Sequence, residues 1–191
     1  QTGGRPLTDV VKEALDGGVK AVQLREKDLP IRELLKLAEE MRKITKEAGA
    51  MLFINGRIDV AMAVEADGIH LGQTDLPVDI VRKIVGNRFM IGVSTHNLIE
   101  AKEAEKEGAD FITFGPVYET PSKLKYGKPV GVEALKRVKS GVSIPVYAIG
   151  GIKSGNIEAI LTSGADGVAL ISAIIGAREP KKAAEKIIRS I

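Results

Sequence analysis

The chain has 191 residues, enough for one domain with a substantial core, and a formal net charge of +3 from 28 basic and 25 acidic residues. Charge this nearly balanced, with both signs interspersed, offers no nucleic-acid surface. There is no cysteine, which excludes thiol chemistry, disulfides and a thiolate-bound metal, and no apolar run nears the roughly 20 residues that span a bilayer. No signal-peptide core opens the sequence, so the expectation is a cytoplasmic protein, one domain over residues 1–191, with no membrane or nucleic-acid partner. With 4% aromatics and 21 glycines, small and aliphatic side chains must do most of the packing.

In chain order, two patterns alternate. Residues 7–15 have helical spacing, with Thr8 or Asp9 as the expected cap and Gly17-Gly18 as the stop. Residues 19–24 read as a strand and 31–48 as a long amphipathic helix. A short strand over 51–54 precedes a helix over 59–64. Strand 68–71, helix 78–85, strand 90–93 and helix 98–107 follow. A strand over 111–114 leads into a polar segment of about fifteen residues, unusually long for a compact domain and therefore a functional expectation. A helix over 132–138, a strand over 146–149 introduced by Pro145, a helix over 157–162, a strand over 168–171 and a helix over 181–191 complete the chain.

Short apolar strands alternating with amphipathic helices argue for a parallel sheet covered by helices. The tally of eight helices and seven strands, beginning on a helix, matches a TIM (β/α)₈ barrel whose first strand is missing from this sequence. An open doubly wound sheet is the rival. A weak repeat accompanies the alternation: Ala66-Asp67, Ala109-Asp110 and Ala165-Asp166 each lead into a strand, two βα units apart. It marks alternate strands, as barrel side-chain layers require, unless it is merely a frequent helix end before a strand.

Barrel chemistry sits where the strands end. Gln23 and then Arg25, Glu26 and Lys27 occupy the first such end, Asn55-Gly56-Arg57 the second, and Gln73 to Asp75 the third. Ser94 and His96 follow the fourth strand. The long loop carries Thr120, Ser122, Lys123, Lys125 and Lys128, and Gly150-Gly151 and Ser172 follow the last two strands. Arg25, Lys27 and Lys123 form one anion-binding set; Gly151 and Ser172, with glycine amides exposed, form another. Two sets imply a ligand with phosphates at two places, or two phosphorylated substrates. Asp75 reads either as a cap for the following helix or as a metal ligand. His70, between Ile69 and Leu71, reads as a packed, hydrogen-bonded histidine, and His96 as a proton-transfer candidate.

The motifs Val-Gln-Leu-Arg-Glu-Lys at 22–27, Phe-Ile-Asn-Gly at 53–56, Ala-Asp-Gly-Ile-His-Leu-Gly-Gln-Thr-Asp at 66–75 and Gly-Val-Ser-Thr-His at 92–96 resemble the thiamine phosphate synthase family. So do Gly-Pro-Val-Tyr-Glu-Thr-Pro-Ser-Lys at 115–123, Ala-Ile-Gly-Gly-Ile at 148–152 and Gly-Val-Ala-Leu-Ile-Ser at 167–172. The resemblance implies a TIM barrel that joins hydroxymethylpyrimidine diphosphate to a thiazole phosphate, releasing pyrophosphate. It implies that Gln23, Leu24, Arg25, Glu26, Lys27, Asn55, Ser94 and Lys123 hold the pyrimidine diphosphate. Thr120, Pro121, Ser122, Gly151, Ile171 and Ser172 would hold the thiazole phosphate, and Asp75 would bind Mg²⁺. Where that family usually reads Ile-Asn-Asp, this chain reads Ile54-Asn55-Gly56, so one Mg²⁺ carboxylate is gone. Asn-Gly-Arg there, and Tyr118-Glu119-Thr120, resemble the sister branch of thiazole tautomerases, in which a histidine matching His96 is implicated. The synthase is the expectation, the tautomerase the alternative, and a non-catalytic regulatory barrel a third reading. Apolar lateral helix faces allow a homodimer.

Overall fold

The computed structural model describes residues 2–120 and 128–191. Seven parallel strands lie side by side in sequence order: β1 (Ala21–Leu24), β2 (Met51–Asn55), β3 (Gly68–Leu71), β4 (Met90–Thr95), β5 (Phe111–Phe114), β6 (Val146–Ile149) and β7 (Gly167–Ala169). Every neighbouring pair is parallel, and each connection carries helix across the outside of a curled half-barrel. The helices are α1 (Leu7–Asp16), α2 (Ile31–Glu47), α3 (Ile58–Ala63), α4 (Val78–Val85), α5 (Leu98–Lys106), α6 (Gly131–Gly141), α7 (Ile157–Thr162), α8 (Ser172–Ile175) and α9 (Pro180–Ile188). All seven strands lie where the alternation puts them. The short α8 is additional. The apolar run over 168–171 stops being strand at Ala169, and Ile171 turns out toward the mouth, half exposed, before α8 begins.

The expected cap of α1 is corrected. Neither Thr8 nor Asp9 caps it; the helix starts directly after Pro6, as α2 starts after Pro30 and α4 after Pro77. Proline's fixed φ sets the entry angle in each case.

Alternation sorts the strand side chains into two layers. Leu52, Ile54, Ile69, Leu71, Ile91, Val93, Ile112, Phe114, Val146 and Ala148 face the helices and form the main core with α1 to α9. The alternate positions face inward. There Phe53, His70, Phe111 and Tyr147 fill the barrel, with Phe53 and Tyr147 each edge-on to Phe111 at 5.3 and 5.6 Å between centroids. Gly68, Gly92 and Gly167 make room for them. A Cβ at Gly68 would lie 2.4 Å from the Phe53 ring, and one at Gly92 2.2 Å from the Phe111 ring.

The Ala-Asp repeat acquires a physical cause at the N-terminal end of the sheet. Asp67, Asp110 and Asp166 stand just before β3, β5 and β7. Each donates its own N–H to a carbonyl of the preceding strand, Leu52, Ile91 or Val146, at 2.8 to 2.9 Å. Its carboxylate then accepts the N–H of that same residue at 2.7, 2.6 and 2.8 Å. A cation from the covering helix completes each clamp: Arg42 of α2, Arg82 of α4 and Lys139 of α6, all at 2.6 Å. Burial pushes the Asp166 carboxyl up, but the Lys139 ammonium and the Val146 N–H together outweigh it and hold the group below the ordinary carboxylate range.

Candidate functional site

At the opposite end, the strands deliver their polar residues to one mouth. Leu24 pairs with Ile54, so Arg25 and Asn55 leave β1 and β2 side by side. Gln23, Arg25, Glu26 and Lys27 are exposed there, and among the described residues neither Arg25 nor Lys27 has an ion-pair partner. Leu24 is different: its side chain is buried in the helix-facing core, so any part it takes in binding is its backbone's. Asn55 donates its side-chain amide to the His70 carbonyl at 2.9 Å. Arg57, the neighbouring cation, is held by Asp59 at 2.5 Å.

Ser94 lies on β4, two residues beyond Gly92, which pairs with His70, itself the partner of Asn55. The carbonyl of Ser94 accepts the Gln73 side-chain amide at 2.7 Å, and its Oγ lies 3.0 Å from Nε2 of His70. His70 is 2% exposed, and burial pushes its pKa down to about 4, against a weaker upward pull from Asp75. It is therefore a neutral imidazole at any ordinary pH.

Asp75 and Gly56 face each other. A Cβ at Gly56 would stand 3.2 Å from both carboxylate oxygens of Asp75. Asp75 does not cap α4: one oxygen accepts the Gly72 N–H at 2.7 Å, while the first N–H of α4, at Val78, goes to Glu107 at 3.2 Å. The position opposite Asp75, where a second carboxylate is expected, thus holds a glycine at φ +67°, a conformation few side chains adopt. Among the described residues no group of three or more acidic or histidine side chains gathers to hold a metal. One carboxylate suits Mg²⁺ only when substrate oxygens and waters supply the remaining positions.

The second set lies across the mouth. Thr120, Gly151, Ile171 and Ser172 line one open cavity of about 950 Å³ that continues between β7 and α9. The root of the long loop shapes its wall: Val117 and Tyr118 donate to the carbonyls of Ile149 and Gly150 at 2.9 and 3.0 Å. Gly151 is required there, because at φ +66° a Cβ would meet the Glu119 carbonyl at 2.6 Å. Among the described residues the backbone N–H groups of Gly151 and Ile152 have no acceptor. Two residues missed by sequence reasoning belong here. Asn156 accepts the Lys153 N–H at 2.8 Å and donates to the Gly151 carbonyl at 3.0 Å, fixing the loop with its amides outward. Lys153 lines the cavity without an ion-pair partner among the described residues, and its place right after Gly-Gly-Ile was the available signal. Pro121, Ser122, Lys123 and Lys125 lie outside the described residues.

His96 stands at the rim. Its Nδ1 and its backbone N–H both reach one oxygen of Glu100, at 3.0 and 2.8 Å, and Asn97 holds the other oxygen at 2.6 Å. Among the described residues the His96 Nε2 has no hydrogen-bond partner.

A curled parallel sheet whose polar groups gather where its strands end is a barrel of the TIM type, the end at which such folds carry their sites. The chain belongs to the thiamine monophosphate synthase family, whose model matches residues 1–174. A relative in Geobacter sulfurreducens is 53% identical over 98% of this chain and 88% of its own length. The thiamine-phosphate synthase of Moorella thermoacetica is 46% identical over 97% of this chain and 88% of its own. Among solved structures, thiamine phosphate pyrophosphorylase from Pyrococcus furiosus superposes with a TM-score of 0.91 at 40% identity, covering 97% of this chain and 89% of that one. A 3-hexulose-6-phosphate synthase, at 17% identity and a TM-score of 0.73 over 97% of this chain and 93% of its own, shares the fold alone. No helix among the described residues is long and apolar enough to cross a membrane.

Proposed function

We propose that this chain is a transferase, a thiamine-phosphate synthase that couples hydroxymethylpyrimidine diphosphate to a thiazole phosphate and releases pyrophosphate. The observation that carries the reading is the division of the mouth. Arg25 and Lys27, without an ion-pair partner among the described residues, lie with Gln23, Asn55 and Ser94 on the β1–β4 side; the amides of Gly151 and Ile152, without an acceptor among the described residues, lie with Ser172 and Lys153 around the cavity on the β6–β7 side. Two anions approached from opposite sides fit two phosphorylated substrates meeting between them.

The chemistry asks for what this mouth supplies. The bond from the pyrimidine methylene carbon to the diphosphate oxygen breaks, the electron pair leaves with pyrophosphate, and the thiazole nitrogen donates its lone pair to the resulting cation. Such a step needs stabilisation of departing negative charge and alignment of two partners, and no strong base. Arg25 and Lys27, joined by Lys123, meet the diphosphate. Gly151, Ile152, Ser172 and Lys153 anchor the thiazole phosphate, a role the family resemblance extends to Thr120 and Ser122. Asp75 would hold Mg²⁺ together with diphosphate oxygens, and the ion would supply further charge neutralisation.

One observation favours a second activity. Glu100 orients His96 through Nδ1 and leaves Nε2 without a partner among the described residues, an arrangement for proton transfer that the coupling does not demand. This is the thiazole tautomerase reading. The two separate in one assay: both substrates with Mg²⁺ should release pyrophosphate and form thiamine monophosphate. If no pyrophosphate appears while the thiazole tautomer still converts, the synthase reading is lost. His96→Ala should leave pyrophosphate release within a few-fold.

A further inference from the structure

The buried imidazole of His70 lies beneath the mouth, yet the coupling chemistry gives it no task. Its surroundings are specific. Nε2 lies 3.0 Å from the Ser94 hydroxyl and 3.3 Å from the Thr113 hydroxyl, and Nδ1 is buried with no hydrogen-bond partner among the described residues. Gly92, on the strand between, is what admits the ring: a Cβ there would come within 2.7 Å of Nδ1. The backbone of His70 is equally committed, since its carbonyl accepts both the Asn55 side-chain amide and the Gly56 N–H, at 2.9 and 3.0 Å.

The orphaned nitrogen decides the tautomer. A proton on Nδ1 would leave a buried N–H unmade, and unmade buried donors are the rarer and costlier case. A proton on Nε2 instead donates to a hydroxyl. Of the two in reach, Ser94 is the nearer, and it is the one at the mouth. When Ser94 Oγ accepts from the imidazole, its own proton is free to point outward. The side chain then becomes a hydrogen-bond donor of fixed direction, which is what an anionic or lone-pair-bearing ligand atom requires.

We propose that His70 is a positioning residue: it fixes the Ser94 hydroxyl as an outward donor to the pyrimidine diphosphate substrate, acting through Ser94 and never touching the substrate. This rests on the reading of Ser94 as part of the pyrimidine diphosphate site. Nothing comparable links His70 to the cavity beside Gly151 and Ser172, so the effect should be confined to one substrate.

The test is a double-mutant cycle on the full chain, measuring KM and binding for hydroxymethylpyrimidine diphosphate and for the thiazole phosphate separately. His70→Leu should raise KM for the pyrimidine diphosphate about tenfold and leave that for the thiazole phosphate within twofold, as expected for one lost hydrogen bond. His70→Gln, which can place an amide N–H near the Nε2 position, should recover most of the loss. In a Ser94→Ala background, His70→Leu should cost nothing further. Equal loss for both substrates, no recovery by Gln, or additive losses in the double variant would each overturn the proposal and leave His70 a packing residue. Should Ser94→Ala bind the pyrimidine diphosphate normally, the substrate reading of Ser94 itself falls, and the proposal with it. If His70→Leu fails to fold, the wild-type protein still decides. The ¹⁵N resonances of the His70 ring should carry the proton on Nε2 and shift when hydroxymethylpyrimidine diphosphate is added. A proton on Nδ1, or no shift on saturation, overturns the proposal.

Discussion

The two ends of the sheet treat their cations in opposite ways. At the N-terminal end Arg42, Arg82 and Lys139 are each locked to an aspartate that also grips a strand N–H, so charge there holds backbone together. At the mouth Arg25, Lys27 and Lys153 have no carboxylate among the described residues, and backbone amides beside them lack acceptors. Paired charge is structural; on the proposed reading, the charge at the mouth is kept for an anion. If the proposed function holds, the same residue types serve stability at one end and binding at the other, and the difference lies in whether the fold supplies the counter-charge.

The sharpest way to break this comparison is at Arg25. Arg25→Ala should lower kcat/KM for the pyrimidine diphosphate about 100-fold, equivalent to roughly 3 kcal/mol for a charge-assisted contact, while the urea midpoint stays unchanged. A drop in stability of similar size would place Arg25 with the clamps. Asp110→Ala is the converse experiment. It strands the Ile91 N–H of a fully buried residue and takes the carboxylate from Arg82, which keeps only its carbonyl acceptors at Gly86, Phe89 and Gly108; it should cost about 2–3 kcal/mol in urea unfolding, with substrate KM values unchanged for the folded fraction.

A pH titration probes the layer between the ends. His70 has a folded pKa of about 4 against an ordinary 6.5, so it is neutral in both states above pH 6.5. Below that the unfolded chain takes up a proton that the folded chain refuses. Stability should therefore fall between pH 6.5 and about 4, by about 2 kcal/mol at pH 5. His70→Gln should flatten that slope; an unchanged slope would assign it to other groups. The smallest expected effect is at Gly56. Gly56→Asp puts a second carboxylate opposite Asp75, and should tighten the Mg²⁺ requirement of pyrophosphate release several-fold, at a stability loss of about 1 kcal/mol for the positive φ. No change in Mg²⁺ dependence would separate Asp75 from the metal.

Most of the scaffold was legible because parallel strands buried on both faces are continuous apolar runs, and all seven stood out. The last run misled by two residues, since Leu170 and Ile171 are as apolar as the strand they leave. The helix starts misled as well: Thr8 and Asp9 are good caps by type, but Pro6 had already fixed the entry. At the site, strand-end residues could be named from topology alone. What sequence could not give was their partnering. Nothing local says that Asp75 turns back to Gly72 and faces Gly56, that Glu100 holds His96, or that Asn156 orders the Gly151 loop. Those pairings depend on which strand ends become neighbours. The Ala-Asp repeat was visible as a pattern, yet its cause lay in basic residues far upstream on the covering helices.

Those three aspartates also divide the sheet into successive pairs, β2 with β3, β4 with β5 and β6 with β7, each closed by its own latch. Such closed units are natural steps of partial opening. The amides of Leu52, Ile91 and Val146 are then built-in reporters: in native-state hydrogen exchange, each tells when its own pair of strands comes apart, independently of events at the mouth.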